Sequence, residues 1–203
     1  MKVLLTGFEP FGGYPINPSQ LLIQSLPDQY LGMTLVKQIL PVHHKQGPQK
    51  MLTLLKSHQP DAVIAFGLAS GRAQISLERV ALNLLDFSIA DNAGVFVENQ
   101  PVVPNGPTAY FSTLPLQAMQ VALNAEGISS ELSLSAGAYL CNQVFYTLMH
   151  EIASQDLSTP AGFIHLPNIP EQAAQSTTPI PSLRLEVLIQ AAYILISQLG
   201  SLN

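Results

Sequence analysis

The 203-residue sequence predicts an α/β fold, a single domain of three α/β/α layers in which helices cover both faces of a mostly parallel central sheet. Apolar runs of strand length alternate along the chain with amphipathic segments of helical length. No internal repeat, low-complexity tract or linker divides it, and a chain of this size buries about 70% of its unfolded surface as one domain. We therefore expect one domain over residues 1–203.

The first half of the chain supplies a strand, a helix and then further strands. Residues 2–8 (KVLLTGF) are β-branched and Leu-rich, which is typical of a buried strand. Asn17 followed by Pro18 indicates an N-cap with proline at the first helical position, so a helix is predicted to run to about Leu26. The same criteria predict strands at 34–41 and 62–69, a helix at 50–58 and one or two strands at 75–87. Residues 91–107, rich in Asn, Gly and Pro, are predicted to form a long surface excursion.

The second half repeats the alternation. A helix at 116–126 ends at Gly127, which fits the position just after a helix C-terminus. Strands are predicted at 132–135 and 163–166, with an amphipathic helix at 142–154 between them. The last helix opens at Ser182 and is apolar on nearly all sides, so it must be buried in the core or against another subunit.

Composition excludes several classes of protein. The net charge of −5 argues against nucleic acid or an anionic membrane as a partner, since both require clustered Lys and Arg. No apolar run approaches the ~18 residues of a membrane span. Lys2 leads into a strand-like run rather than a secretory signal, so a cytoplasmic location is expected. Charged residues make up only 10% of the chain, against about 25% in typical soluble domains, so the surface is either unusually neutral or partly covered in an oligomer.

Motifs for common cofactors are absent. The loop at 7–13 (GFEPFGG) has the two-glycine spacing of a phosphate-binding loop, but it lacks the Lys and the Ser or Thr that such a loop needs, and Glu9 would repel a phosphate. Neither the dinucleotide-binding glycine fingerprint nor a nucleophile elbow occurs. His43 and His44 are adjacent, and in an extended segment their side chains would point to opposite faces. We therefore expect no cofactor and no metal site.

Cys141, the only cysteine, lies between a predicted strand and a predicted amphipathic helix. One interpretation is a small buried hydrophobe, the usual role of a free cysteine. The other is a nucleophile, because the positive end of a helix dipole and its unpaired N–H groups favour the thiolate. A lone thiol cannot form an internal disulfide or a Cys-rich zinc site.

A thiol nucleophile needs a base, and His165 is the candidate. It interrupts an apolar strand near its C-terminal end, where reactive groups gather in parallel α/β sheets. The alternative is a core histidine hydrogen-bonded to backbone. Glu78 is the candidate third member, since a buried carboxylate on the imidazole would fix its tautomer. For Glu78 the alternatives are an ion pair with Arg72 or a solvated strand face, so the residues alone make a Cys-His-Glu arrangement plausible.

Phe8 and Phe11 flank the glycines of the first loop, at the end of the first predicted strand. Aromatic side chains at such a position are often part of the core. In a glycine-rich loop that does not bind phosphate they could instead form an apolar slot for a small flat group.

Several short segments occur together, in one order, along residues 2–172. They are GFEPFGG at 7–13, NP at 17–18, GLA at 67–69 with GR at 71–72, ERVA at 78–81 with Asn83, GPTAYF at 106–111, SAG at 135–137 with CN at 141–142, and FIHLP at 163–167 with IPEQ at 169–172. In combination they resemble the pyroglutamyl peptidase I family, also called pyrrolidone-carboxylate peptidases. The combination is far more specific than any single motif.

The resemblance implies a cytoplasmic cysteine peptidase, commonly tetrameric, that removes N-terminal pyroglutamate from peptides. It implies a triad with Cys141 as nucleophile, His165 as general base and acid, and Glu78 as the orienting carboxylate. It also implies a lactam pocket formed by Phe8, Phe11, Asn17, Ile89, Tyr139 and Leu140.

Two positions depart from the pattern that the resemblance implies. Ser88 stands where an arginine is usual, close to the expected site, and Asn168 stands where a tyrosine is usual. Neither belongs to the triad, so activity is expected. The missing charge at Ser88 leaves a second hypothesis, a pyroglutamate-binding homologue with impaired catalysis. A third is a phosphate-dependent domain like the purine nucleoside phosphorylases, which Glu9 in the first loop disfavours.

Overall fold

The computed structural model describes residues 1–202 and has a seven-stranded sheet at its centre. In chain order the strands are β1 (Lys2–Phe8), β2 (Gln29–Tyr30), β3 (Met33–Leu40), β4 (Ala62–Leu68), β5 (Ile75–Glu78), β6 (Val80–Leu82), β7 (Ala109–Phe111), β8 (Ser130–Ser133) and β9 (Ala161–Leu166). The central sheet has the order β2-β3-β1-β4-β9-β5-β8, while β6 and β7 form a separate two-stranded ribbon.

Helices cover both faces of the central sheet. They are α1 (Pro18–Ser25), α2 (Gln46–His58), α3 (Leu116–Ala125), α4 (Leu140–Ser154), α5 (Pro170–Ala173) and α6 (Leu185–Ser197), followed by a 3-10 helix (Gln198–Leu202). Helices α1, α3 and α6 pack on one face of the sheet, and α2 and α4 pack on the other. The predicted three-layer α/β/α architecture is confirmed.

Alternation along the strands assigns each side chain to one of these two layers. In β1, Val3 and Leu5 belong to the core under α1 and α6, whereas Leu4 and Phe8 belong to the core under α2 and α4. Because both faces are covered, the central strands are apolar on both sides and appear in the sequence as continuous apolar runs. His165 lies two residues after a core residue of the α2 and α4 layer and therefore shares that face.

The sheet is mixed but mostly parallel, as predicted. Strands β3, β1, β4 and β9 run parallel, whereas β5 pairs antiparallel with β9, and β8 runs parallel to β5. In this register Ser76 lies opposite His165, and Glu78 lies opposite Phe163. Glu78 and His165 are therefore diagonal neighbours on one face of the sheet.

The structure corrects several predicted boundaries. Helix α4 begins at Leu140, two residues earlier than predicted, so Cys141 lies in its first turn. Helix α2 begins at Gln46, four residues early, because its first turn tolerates Gly47 and Pro48, which are poor residues for a helix interior. The bounds of β8 and the start of α6 also shift by two or three residues. The short elements β2, β7 and α5 contain too few residues for a periodic pattern to predict them.

Two longer segments differ in their burial from what their composition implies. Residues 91–107 are irregular, as predicted, but Asp91 and Val97 within them are buried rather than on the surface. The strongly apolar α6 is accommodated largely within this chain, because Leu188, Leu195 and Ile196 are buried and its other large apolar residues are partly covered. Within residues 1–202, no helix has both the length and the apolar character to cross a membrane.

Candidate active site

A cavity of about 400 Å³ opens at the C-terminal ends of β1, β4 and β9. All six residues predicted for the pocket line it, together with two of the three predicted catalytic residues. They are Phe8, Phe11, Asn17, Ile89, Tyr139, Leu140, Cys141 and His165. The third candidate, Glu78, is fully buried and contacts the imidazole of His165. The structure thus brings together every residue that the sequence assigned to the site.

The Cys141 thiol lies beside the strand that neighbours His165. Gly67 on β4 pairs in register with His165 on β9. A Cβ atom added to Gly67 would lie 2.8 Å from Sγ of Cys141 and 2.7 Å from Cζ of Phe163. The glycine therefore leaves the space that the sulfur occupies. The buried amide of Asn142 fixes the start of α4 through hydrogen bonds with the backbone at and just after the end of β6.

The substitution Gly67→Ala is expected to lower both stability and activity. Its methyl group would push on the sulfur of Cys141 and on the ring of Phe163 in a closely packed sheet, which costs about 1–3 kcal/mol in free energy of unfolding. Denaturant unfolding measures the first effect, and turnover of a pyroglutamyl amide, the substrate that the sequence resemblance implies, measures the second. Gly200→Ala is the matched control, because its added Cβ would meet only the end of Met33 at 3.7 Å. Unchanged stability and activity in Gly67→Ala would contradict this packing.

One carboxylate oxygen of Glu78 joins two groups. Oε1 lies 2.8 Å from Nδ1 of His165 and 2.6 Å from Nη1 of Arg72. The imidazole partner and the arginine ion pair, weighed as alternatives from the sequence, are therefore both present. A solvated strand face is excluded because Glu78 is buried. Arg72 also donates from Nη2 to the backbone carbonyl of Ser135 at 2.8 Å.

Burial sets the protonation states of the site. It raises the pKa of the Cys141 thiol to about 12 and lowers the pKa of His165. Burial alone would raise the pKa of Glu78. The hydrogen bond to His165 and the charge of Arg72 are among the causes that lower it, and together these causes exceed the effect of burial, so the pKa is lowered. These directions favour a thiol, a carboxylate and a neutral imidazole, in the tautomer whose Nδ1–H donates to that carboxylate. Desolvation of the half-buried thiol therefore opposes the helix N-terminus, which favours the thiolate.

The apolar side of the cavity is built from aromatic residues of the first loop and of the turn before α4. Phe8 is buried and packs on Phe163, with ring centroids 6.2 Å apart, so it belongs to both the core and the cavity wall. Phe11 is half-buried and lies 6.1 Å from the ring of Tyr139. Asn17 caps α1 with its side-chain oxygen and donates its amide N–H to the backbone of the first loop. Its polar atoms therefore hold the loop that carries both phenylalanines.

The loop that carries Ser88 and Ile89 is anchored by the buried carboxylate of Asp91. This carboxylate accepts three backbone N–H groups, and its Oδ2 lies 2.8 Å from Nδ1 of His44. Tyr139 adds a further link, because its hydroxyl donates to the carbonyl of the residue after Ile89. The wall of the cavity formed by this loop is thus fixed to the segment between β3 and α2 and to the residue before α4.

His43 and His44 lie on the same side of the chain, which corrects the expectation of opposite faces. Their rings stack with centroids 5.1 Å apart, and together with Asp91 they bring three potential metal ligands within 4.8 Å of one another. However, Nδ1 of His43 already accepts the backbone N–H of Lys45, and Nδ1 of His44 bonds to Asp91. We interpret the cluster as an anchor of the loop. No local pattern in the sequence indicates this contact, which joins residues 47 positions apart.

Both unusual positions, Ser88 and Asn168, lie at the site. Ser88 lines the cavity. Asn168 is fully buried, and its Oδ1 accepts the backbone N–H of Gly71 at 3.2 Å. Because Gly71 precedes Arg72, Asn168 anchors the turn that carries the arginine. This role was missed from the sequence, where only the position of Asn168 just beyond the His165 strand could have indicated it.

Comparisons with known proteins give one consistent family. The family model described as pyroglutamyl peptidase matches residues 1–199. The chain is 44% identical over 196 residues to the pyrrolidone-carboxylate peptidase of Thermococcus onnurineus, covering 97% of both chains. It is 45% identical over 189 residues to that of Vibrio vulnificus, covering 93% of this chain and 87% of the other. The crystal structure of pyrrolidone carboxyl peptidase from Pyrococcus furiosus matches it over the whole of both chains with a TM-score of 0.97 and 40% identity. The chain therefore belongs to the pyroglutamyl peptidase family.

Proposed function

We propose that this protein hydrolyses the peptide bond that follows an N-terminal pyroglutamate, with Cys141 as nucleophile, His165 as general base and acid, and Glu78 as the orienting carboxylate. One observation carries the proposal. Cys141 and His165 face one cavity, and Nδ1 of His165 lies 2.8 Å from the buried Glu78. Family membership supports the substrate, because the relatives named above are pyrrolidone-carboxylate peptidases.

The protonation states define the first step of the reaction. His165 is neutral and donates Nδ1–H to Glu78, so its Nε2 is free to accept the proton of the Cys141 thiol. As that proton leaves, the sulfur attacks the pyroglutamyl carbonyl carbon and forms a tetrahedral intermediate. The ionised carboxylate of Glu78 stabilises the imidazolium that forms in this step.

The second half of the reaction reverses the proton transfers. The imidazolium of His165 donates its proton to the leaving amine, the C–N bond breaks, and the pyroglutamyl group remains on Cys141 as a thioester. His165 then takes a proton from water, and the hydroxide attacks the thioester carbonyl. Breakage of the C–S bond returns the proton to sulfur and releases pyroglutamate.

Specificity follows from the chemistry of the cavity wall. The pyroglutamyl ring is compact and uncharged, so Phe8, Phe11 and Tyr139 can enclose it in a cavity of about 400 Å³. A peptide with an ordinary ammonium group would have to lose the hydration of its charge there. Peptides with a free N-terminus are therefore disfavoured.

A binding homologue with impaired catalysis is the second candidate function. It is favoured by Ser88, which gives the cavity wall no charge where an arginine was expected. Arg72 lines the same cavity, however, so a cation is present beside the proposed catalytic groups. Family membership argues against the third candidate, a phosphate-dependent phosphorylase.

The direct test is hydrolysis of a pyroglutamyl amide with a fluorogenic leaving group, compared with the prolyl and glutaminyl amides. We expect cleavage of the pyroglutamyl amide alone, because proline lacks the lactam carbonyl and glutamine carries a charged amine. Alkylation of Cys141, the only cysteine, should remove the activity. Pyroglutamate binding without turnover would favour the binding homologue, and turnover that survives complete alkylation would contradict the thiol mechanism.

We also propose that the protein is a cytoplasmic homo-oligomer of four copies. Several large apolar side chains are more than half exposed on a chain with only 10% charged residues, which suits burial between copies. They include Phe96, Phe111, Val121 and Leu134. A reducing compartment would keep the single thiol reactive. The mass in solution tests the assembly, and a monomer at micromolar concentration would contradict it.

A further inference from the structure

We propose that Arg72 is a positioning residue that holds the carboxylate of Glu78 in the orientation required by His165. The inference rests on the proposed function. It goes beyond that function because Arg72 lies outside the three proposed catalytic residues. Its guanidinium is about one-third exposed on the cavity wall, whereas Glu78 is fully buried.

The contacts of Glu78 show why its orientation depends on Arg72. Both donors, Nδ1 of His165 and Nη1 of Arg72, converge on Oε1 at 2.8 and 2.6 Å. The other oxygen, Oε2, is buried and has no hydrogen-bond partner among the described residues. Without the guanidinium, Oε1 would keep only its hydrogen bond to Nδ1 of His165, and the carboxylate would be held less firmly about its last torsion angle. The described residues give it no other permanently charged partner.

Arg72 is itself held by contacts that belong to the site. Its Nη2 donates to the carbonyl of Ser135, in the segment that leads into α4 and Cys141. Its backbone turn is held by the hydrogen bond from Gly71 to the buried Asn168. Gly71 has a φ of 86°, which favours glycine, so the turn has a defined shape.

These contacts connect His165, Asn168, Arg72 and Glu78 in a ring of interactions. Strand β9 carries His165 and leads to Asn168, which holds the turn of Arg72. Arg72 then holds Glu78, which returns to His165. The base and the residue that orients its carboxylate are thus tied to the same strand. The strand that positions the imidazole of His165 therefore also positions, through Asn168 and Arg72, the carboxylate of Glu78.

The charge of Arg72 acts on all three proposed catalytic groups. The groups that face His165 are Glu78 from β5, Arg72 from the turn after β4 and Cys141 from α4. Burial is the main cause that lowers the pKa of His165, and Arg72 lowers it further, whereas Glu78 raises it. Arg72 also lowers the pKa of Cys141 and that of Glu78. A cation at this position therefore favours the neutral imidazole together with an ionised carboxylate.

The test compares Arg72→Gln and Arg72→Lys with a matched control, Arg79→Gln, which removes an exposed arginine seven residues along the chain. The measurement is the pH profile of kcat/KM for a pyroglutamyl amide. Arg72→Gln should lose about ten- to a hundred-fold, the effect of one hydrogen bond to a charged group, and its acid limb should move to higher pH. Arg72→Lys keeps the charge but cannot reach both acceptors. Its kcat should therefore fall, whereas its KM and the acid limb of its pH profile should not change. Arg79→Gln should match the wild type in both respects.

A readout without turnover separates this inference from the proposed function. The imidazole of His165 is titrated by NMR in the wild type and in Arg72→Gln, and we expect the variant to titrate at higher pH. If the wild type does not cleave the amide, the proposed function fails while the titration still tests Arg72. Equal titration of His165 in both proteins, or wild-type kcat/KM in Arg72→Lys, would overturn the inference. If Arg72→Gln does not fold, the inference is tested by the kcat and the acid limb of Arg72→Lys alone.

Discussion

Replacement of Cys141 by serine is expected to abolish turnover of a pyroglutamyl amide, with kcat reduced by about 10⁴-fold or more. The serine hydroxyl is a far weaker acid and nucleophile than the thiol. The change leaves His165, Glu78 and the aromatic wall in place. It removes the one atom that forms the acyl-enzyme. A smaller side chain also fits beside Gly67, where the sulfur now lies close to the strand.

Two controls separate lost chemistry from lost structure in Cys141→Ser. The thermal midpoint should match that of the wild type, and calorimetry should show retained binding of pyroglutamate, because the cavity wall is unchanged. Turnover within about tenfold of the wild type would exclude Cys141 as the nucleophile. Loss of ligand binding together with turnover would instead assign the thiol to the pocket.

The three proposed catalytic residues could be singled out from the sequence because each interrupts a local pattern. Cys141 stands where a strand passes into a helix, and His165 and Glu78 are polar residues in apolar strands. Their contact could not be predicted in the same way. It joins residues 87 positions apart and depends on β5 running antiparallel to β9, which local patterns do not specify.

The chemical state of the site was also beyond local patterns. A position in the first turn of α4 predicts a thiolate at Cys141, because the helix dipole is a local property. Burial is a tertiary property, and it raises the pKa of the thiol to about 12. Similarly, Asn168 and Arg72 are unremarkable polar residues until the fold places the end of β9 beside the turn after β4.

Replacement of Glu78 by glutamine is expected to reduce kcat by about a thousand-fold or more, while the shape of the side chain is kept. The amide oxygen can still accept from His165 and Arg72, but the negative charge that stabilises the imidazolium is lost. The NH₂ group would then stand at the buried position of Oε2, which has no hydrogen-bond partner among the described residues. If the amide group instead flips, its NH₂ faces Nδ1 of His165. The imidazole proton must then lie on Nε2, which can no longer accept the proton of the thiol.

The pH profile of Glu78→Gln distinguishes this role from that of Arg72. Glu78 raises the pKa of His165, whereas Arg72 lowers it. Removal of the carboxylate should therefore move the acid limb of kcat/KM to lower pH, opposite to the shift expected for Arg72→Gln. Glu126→Gln, at an exposed position just after α3, removes the same charge away from the site and should behave as the wild type. An acid limb that does not move in Glu78→Gln, with activity within tenfold of the wild type, would remove Glu78 from the proposed triad, because the imidazole would then be oriented and charged without it.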